Sequence, residues 1–347
     1  MIDKLYNTHS LDKDELIALI RENINGIDNR LLEAASSIRE VYYDKKVFFR
    51  GLIEFSNYCK NDCYYCGIRR SNSNAQRYRL KKGDILDCCA SGYELGFRTF
   101  VLQSGEDLYY TDNIMVDLID SIKSKYPDCA ITLSMGEKSY SSYKKYFQAG
   151  ADRYLLRHET ATEDHYRRLH PDNMSLSNRK KSLYNLKEIG FQVGAGFMVG
   201  SPYQTIENLA NDLLFLKELE PHMVGIGPFI PHSDTIFADE NAGALDMTVL
   251  MIAIVRLLLP KALLPATTAL GTIDSLGREK GLKAGANVVM PNLSPISVRK
   301  DYSLYDNKIC TGDEAAECRY CIEERIKAAG FQPDFSRGDY IGMNIQS

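Results

Sequence analysis

Three cysteines fall within eight residues in Tyr58-Cys59-Lys60-Asn61-Asp62-Cys63-Tyr64-Tyr65-Cys66-Gly67, a C-x3-C-x2-C spacing directly after an apolar, aromatic run. Three thiolates this close on one loop can hold one soft metal centre. A structural zinc site takes four protein ligands, commonly as two separated pairs, so three cysteines fit zinc less well. A [4Fe–4S] cluster held by three cysteines leaves one iron open to a small molecule, and Tyr65 sets a flat aromatic beside it. A second group, Cys310, Cys318 and Cys321, reads C-x7-C-x2-C. It could hold a [2Fe–2S] or [4Fe–4S] centre with a non-cysteine fourth ligand, or zinc, or remain as thiols. Cys88, Cys89 and Cys129 sit in helix or strand-edge contexts, where cysteine is most often a small buried hydrophobe, and they receive no role.

Those loops need a scaffold, and the composition supplies one. The chain has 347 residues, 44% hydrophobic and 25% charged, enough to bury a large core, which excludes a disordered tail or a disulfide-stapled mini-domain. Lys plus Arg is 42 against 46 Asp plus Glu, with no long block of either sign, so nothing points to a nucleic-acid partner. Nine cysteines, six of them in two tight groups, are arranged as ligands rather than cross-links. The charged N-terminus lacks a signal-peptide core, and the most apolar stretch, Val249 to Pro260, is too short to span a bilayer. These features predict a cytoplasmic protein of a reducing compartment, with no membrane partner.

After a helical start at about Leu11 to Tyr42, the pattern predicts strands at Val47–Phe55, Thr99–Gln103, Ala130–Ser134, Arg153–Arg157, Gln192–Met198, Met223–Ile230, Pro265–Leu270 and Asn287–Met290. Helical patterns such as Asp112–Lys125 and Ile206–Leu219 lie between most of them. Eight strands with crossovers over about 250 residues predict an α/β fold, a (β/α)8 TIM-type barrel with its chemistry at the C-terminal strand ends. A doubly wound open sheet is the alternative. The expected division is an N-terminal helical segment (1–45), the barrel (46–300) and a C-terminal cysteine-bearing extension (301–347) packed on it.

The cysteine spacing, with an aromatic before the third cysteine, resembles the radical S-adenosylmethionine (SAM) superfamily. That resemblance implies a [4Fe–4S] cluster on Cys59, Cys63 and Cys66, whose open iron chelates SAM, and reductive cleavage of SAM to a 5′-deoxyadenosyl radical. An ordered set of segments is similar to the HydE family of [FeFe]-hydrogenase maturases: Phe49-Arg50-Gly51, Glu54 to Cys59, Cys66 to Arg70, Val101 to Asp107, Asp152 to Thr160, Met223 to His232 and Pro265 to Ala269.

By that resemblance Tyr65, Ser104, Gly105, Ser134, Glu159 and Arg179 belong to the SAM site. Ser104-Gly105-Glu106 contacts the methionine amino group through backbone, and Arg179 pairs with its carboxylate. The substrate pocket is expected inside the barrel, among Arg50, Gln103, Thr132, Arg157, Met223, Thr267, Thr268 and Met290, with Tyr302 and Tyr305 closing from the tail. Met223 and Met290 read equally well as plain core. Buried Arg50 and Arg157 ask for an anionic ligand.

The family implies assembly of the diiron subcluster of the hydrogenase H-cluster, with a cysteine-bound Fe(CO)2(CN) species as substrate and radical attack at sulfur. Partners would be the maturases HydG and HydF and an electron donor such as ferredoxin or flavodoxin. Biotin-synthase-like and methylornithine-synthase-like enzymes share the barrel and loop, and a non-catalytic iron–sulfur carrier or scaffold is the reading from another class. His170 and His232 adjoin prolines and read as turn residues; His158, beside Glu159, is either a pocket-shaping or a structural histidine.

Overall fold

The computed structural model describes residues 1–309 and 314–343; Cys310 and the side chain of Cys318 lie outside the described residues. Helices begin where polar caps precede apolar periodicity. Thr111 accepts from Ile114 N ahead of the helix Asp112–Lys125, and Thr205 caps Ile206–Leu219 in a reciprocal box with Asn208. Three helices, Ile2–Thr8, Lys13–Asn23 and Asn29–Tyr43, precede the first strand.

The strands are β1 (Lys46–Phe49), β2 (Gly51–Ser56), β3 (Thr99–Ser104), β4 (Ala130–Ser134), β5 (Arg153–Leu155), β6 (Gln192–Ala195), β7 (Met198–Val199), β8 (Met223–Val224), β9 (Gly227–Pro228), β10 (Val288–Val289) and β11 (Gln332–Asp334). Six of them form a parallel sheet in the order β2-β3-β4-β5-β6-β8, the curved wall of a partial barrel. Register fixes the two faces. Ile53, Leu102, Leu133, Tyr154 and Val193 align across neighbouring strands, all fully buried against the surrounding helices. The opposite face carries the polar rows Thr132-Arg153-Gln192 and Glu54-Gln103-Ser134.

Four expected strands differ. Val47–Phe55 breaks at Arg50 into β1 and β2, and Met223–Ile230 breaks into β8 and β9, each pair divided between two sheets. Pro265 keeps one bridge to Val288, but Thr267 caps a helix, Thr268–Ile273, where a strand through Leu270 was expected. Ala269 and Leu270 are good helix formers, and Pro265 donates no ladder hydrogen bond. The segment Gln192–Met198 breaks at Gly196, whose φ of +152° and close approach to Gly225 O exclude a side chain. The apolar stretch near Val249 is the helix Leu245–Leu258, buried throughout from Thr248. Among the described residues no helix is long and apolar enough to cross a membrane.

The C-terminal chain touches both ends of this wall. Residues 301–309 cross the mouth: Asn57 donates to Asp301 O, Gly67 N to Leu304 O, and Lys308 forms a 2.6 Å ion pair with Glu54, which is only 1% exposed. Further on, β11 adds to β1 in parallel, which no sequence pattern announced. The chain then runs beneath the strands, where Asp339 meets Arg153 at 2.6 Å and Gln192 at 2.8 Å. This floor closes the N-terminal end of the strands.

Candidate functional site

Cys59, Cys63 and Cys66 stand on the loop after β2, at the C-terminal strand ends, all three as free, half-buried thiols. Backbone fixes the loop: Lys60 N donates to Glu106 O, Tyr64 N to Leu169 O and Arg70 N to Asn61 O. The segment after β3 presses against it. Gly105 leaves no room for a Cβ, which would meet Tyr58 O and lie 2.9 Å from the Cys59 Cβ, and Glu106 N donates to Cys59 Sγ at 3.4 Å. Glycine is required here by close approach, and its neighbour supplies a sulfur with a donor.

Burial pushes the Cys66 thiol up to about 12, with the Cys59 sulfur adding to the shift. Cys63 is held well above its ordinary value by burial and by its two sister sulfurs, against the pull of Arg179. Three thiolates cannot coexist here without compensating positive charge, which an iron–sulfur centre brings. Among the described residues no three His, Cys, Asp or Glu side chains converge as ligands of one metal ion. A cluster whose irons each take one sulfur needs a wider spacing than a single ion.

Around the loop stand most of the expected SAM residues. Tyr65 is locked by its hydroxyl, 3.2 Å from His170 Nε2, with the two rings edge-on and His170 stacked on Tyr166. Glu159 has φ +66°, a left-handed conformation costing a non-glycine residue on the order of 1 kcal/mol. Its carboxylate lies 3.1 Å from Arg157 Nη2 and close enough to Tyr65 and Cys66 to be felt electrostatically by both. Ser104 is buried at the end of β3, its hydroxyl donating to Gly105 O, and Ser134 ends β4 opposite Gln103. Arg179 is nearly buried, but its guanidinium already meets Glu137 at 2.6 Å, lies 3.9 Å from Glu106, and donates to Arg157 O. Burial would lower Arg179, and Glu137, Tyr166 and Glu106 more than reverse it. Glu137 was outside the expected set, and Glu106 was expected to act through its backbone rather than its carboxylate. They also line, with Lys60, Arg70 and Met174, a cleft of about 590 Å³ beside the loop.

The expected substrate residues divide by level. Gln103, Thr132, Arg157 and Thr267 stand on this wall, where Thr132 Oγ1, Thr267 Oγ1 and Arg157 Nε are buried without a hydrogen-bond partner. Arg157 itself is not the buried arginine expected, its side chain being 30% exposed and already facing the Glu159 carboxylate. Orphaned buried polar atoms are what a polar ligand satisfies. Tyr302 is buried near Glu54 and Gln103, and Tyr305 is half-buried on the same crossing segment. Thr268 opens the helix Thr268–Ile273.

Arg50, Met223 and Met290 lie lower. Arg50 donates to Met223 Sδ and to Gly338 O, leaving only Nε unpartnered. Met223 and Met290 pack with Tyr43, Phe48 and Tyr340 above the floor. Glu54, which sequence reasoning passed over, stands on the inner face and holds both Lys308 and Asn292. A carboxylate set between Ile53 and Phe55 on an otherwise apolar strand was the available signal. Of the second cysteine group, Cys321 is exposed midway along the helix Glu314–Ala328.

The sequence profile of the Radical SAM superfamily matches residues 53–216. Over 311 residues the chain is 47% identical to the "[FeFe] hydrogenase maturase subunit HydE" of Thermotoga maritima, covering 90% of this chain and 88% of that one. It is 29% identical to the 3-methylornithine synthase of Methanosarcina acetivorans, covering 95% and 93%. Among solved structures it resembles methylornithine synthase (PylB) at a TM-score of 0.81 and 28% identity, covering 96% and 97%. It also shares its fold with HydG, a maturase of the [FeFe]-hydrogenase, at a TM-score of 0.80 and 20% identity, covering 96% of this chain and 75% of that one.

Proposed function

The chain belongs to the HydE family of radical SAM enzymes, and from that premise we propose that it acts on a cysteine-bound Fe(CO)2(CN) species in assembly of the diiron subcluster of [FeFe]-hydrogenase. The observation that supports an anionic, multiply hydrogen-bonding substrate is the ring of buried, unpartnered polar atoms, Thr132 Oγ1, Arg157 Nε and Thr267 Oγ1, inside the wall below the cysteine loop.

Cys59, Cys63 and Cys66 would hold the [4Fe–4S] cluster. Glu159, Arg179, Tyr65, Ser104, Gly105 and Ser134 would hold SAM. When bound, cluster and SAM supply one-electron reductive cleavage to a 5′-deoxyadenosyl radical. The protein's own work is positional. Gly105 lets the β3 end touch the cysteine loop, Glu159 and Arg157 form a charged pair at the ligand, and Tyr302 and Lys308 keep water from the mouth. Gln103, Arg157, Thr132 and Thr267 orient the substrate with its sulfur toward the radical. Arg50 has one free donor on the lower side, and Thr268, Met223, Met290 and Tyr305 complete the boundary.

The finer architecture belongs to the same reading: a complete (β/α)8 barrel over 46–300, preceded by helices and followed by an extension from 301. Cys310, Cys318 and Cys321 would carry an accessory iron–sulfur cluster. HydG and HydF would precede and follow the enzyme in the cytoplasm, with a ferredoxin or flavodoxin as reductant.

The test is anaerobic reconstitution with iron and sulfide, then dithionite and SAM. 5′-Deoxyadenosine is the expected product, and its absence from cluster-loaded protein sinks the enzymatic reading. Restored hydrogenase maturation in a host lacking its own HydE is the expected cellular result. Deuterium passing from a substrate carbon into deoxyadenosine would instead indicate a methylornithine-synthase-like or biotin-synthase-like reaction.

A further inference from the structure

Asp212 lies on the helix Ile206–Leu219, completely buried, with no role in the site as described above. Its Oδ1 accepts from Ala161 N at 2.5 Å and lies 3.4 Å from His158 Nε2, while its Oδ2 has no hydrogen-bond partner. His158, also fully buried, accepts from Gly196 N at 3.4 Å through Nδ1. A ring nitrogen that accepts a backbone N–H carries no proton, so the proton of the neutral imidazole sits on Nε2, on the side of Asp212. The 3.4 Å approach falls short of hydrogen-bond geometry, so Asp212 packs against His158 and holds the turn by its bond from Ala161 N. Phe215, one turn along the same helix, meets the His158 ring edge-on at 4.9 Å. Lys180 caps the arrangement, its Nζ 4.6 Å over the Phe215 ring and donating to Ala161 O.

The two groups touched by Asp212 bracket Glu159, one residue before it and two after. Glu159 is the strained position, at φ +66°; His158 N and Glu159 N share Gly196 O, and Met198 N reaches Glu159 O. Side chains reach the flanks of the turn, Lys180 at Ala161 O, His165 at Thr160 Oγ1 and Arg157 at the Glu159 carboxylate. A left-handed glutamate persists only where its surroundings over-determine it. Without the grip from below, the peptide on either side is free to relax and carry the carboxylate away from Tyr65 and the cysteine loop.

We propose that Asp212 and His158 are a positioning pair that clamps the left-handed Glu159 turn and thereby aims the Glu159 carboxylate at SAM. This rests on the reading of Glu159 as a SAM contact, and the two can fail separately. Neither residue reaches the ligand; both act through Glu159.

The test is a double-mutant cycle on cluster-loaded protein: wild type, Asp212→Ala, Glu159→Ala and the double variant, with SAM Kd from equilibrium dialysis and kcat and KM from deoxyadenosine release. Asp212→Ala should raise Kd and KM by about tenfold, as for lost outer supports of a binding site, with kcat within about twofold. In the Glu159→Ala background the same change should add nothing. Asp212→Asn, whose Oδ1 still accepts from Ala161, should recover most of the affinity. An unchanged Kd, or the same loss with and without Glu159, overturns the clamp and leaves Asp212 a general core residue. Glu159→Ala without effect on Kd sinks the reading of Glu159 itself. If Asp212→Ala does not load its cluster, His158→Leu carries the cycle, with the same expected and refuting outcomes.

Discussion

Removing the Asp339 carboxylate should open the floor of the barrel, and the structure sets the size of the effect. Asp339 receives Arg153 Nη2 at 2.6 Å, Gln192 Nε2 at 2.8 Å and Arg337 Nε at 2.8 Å, and Arg337 continues to Asp152 at 2.9 Å. Arg153 is 0% exposed, so Asp339→Ala strands a buried guanidinium, which costs about 3–5 kcal/mol. Asp339→Asn keeps the shape and one acceptor and should lose less, about 2 kcal/mol.

The pH dependence has a definite sign. Burial alone would raise the Asp339 carboxyl, but Arg153, Arg337 and Gln192 more than reverse this and hold it below the usual carboxylate range. A group depressed in the fold stabilises above its unfolded value, near 4, and the contribution disappears as pH falls through the folded value. The gap between wild type and Asp339→Ala in anaerobic urea unfolding should therefore be flat between about pH 5 and 8 and close in acid. A loss under about 1 kcal/mol, the worth of an exposed pair, or a gap that persists unchanged into acid, would refute the floor.

Cys63→Ser should abolish SAM cleavage while Cys318→Ser largely spares it, read as deoxyadenosine per reconstituted protein; equal losses would refute the division into a catalytic and an accessory site. Gly105→Ala should drive the β3 end off the cysteine loop, since its Cβ meets Tyr58 O, and lower bound iron after reconstitution with little change in far-UV circular dichroism. Lys308→Met strips Glu54, 1% exposed, of its cation and should cost about 3 kcal/mol in urea; Glu54→Gln, which leaves Lys308 an oxygen acceptor and its bond to Tyr302 O, should cost less.

The sequence carried some of this openly. The helices Asp112–Lys125 and Ile206–Leu219 fall at the expected bounds because threonine caps and apolar periodicity are local signals. The cysteine loop is legible because its ligands lie in one run. Thr267 and Thr268 misled, since β-branched residues after a proline look like a strand and here begin a helix. The floor was invisible: Gln332-Pro333-Asp334 has no strand pattern, and its partner β1 is made at the other end of the chain. Asp212 left a readable trace. It sits three residues after Leu209 and four before Leu216, on the apolar stripe of its helix, where a carboxylate must have an internal partner. Arg50 and Met223 carried the right residue types, yet their strand positions put them toward the floor, a level that alternation alone does not set.

The same C-terminal chain crosses the mouth at Lys308 and seals the floor at Asp339, and this has a bearing on how the protein is made. At about 5–20 residues per second, synthesis of the chain takes on the order of a minute or less, and the thiols emerge early in it. Until residues 301–340 have left the ribosome, Glu54 and Arg153 lack their partners and the interior is open to water at both ends. Nascent protein is therefore a set of helices and strands with three unguarded thiols, and the order of events in the cell is fixed by topology: the sealed chamber exists only after translation has passed its last strand. A metallocentre loaded before then would sit in a half-built wall, without the contacts of Lys308 and Asp339.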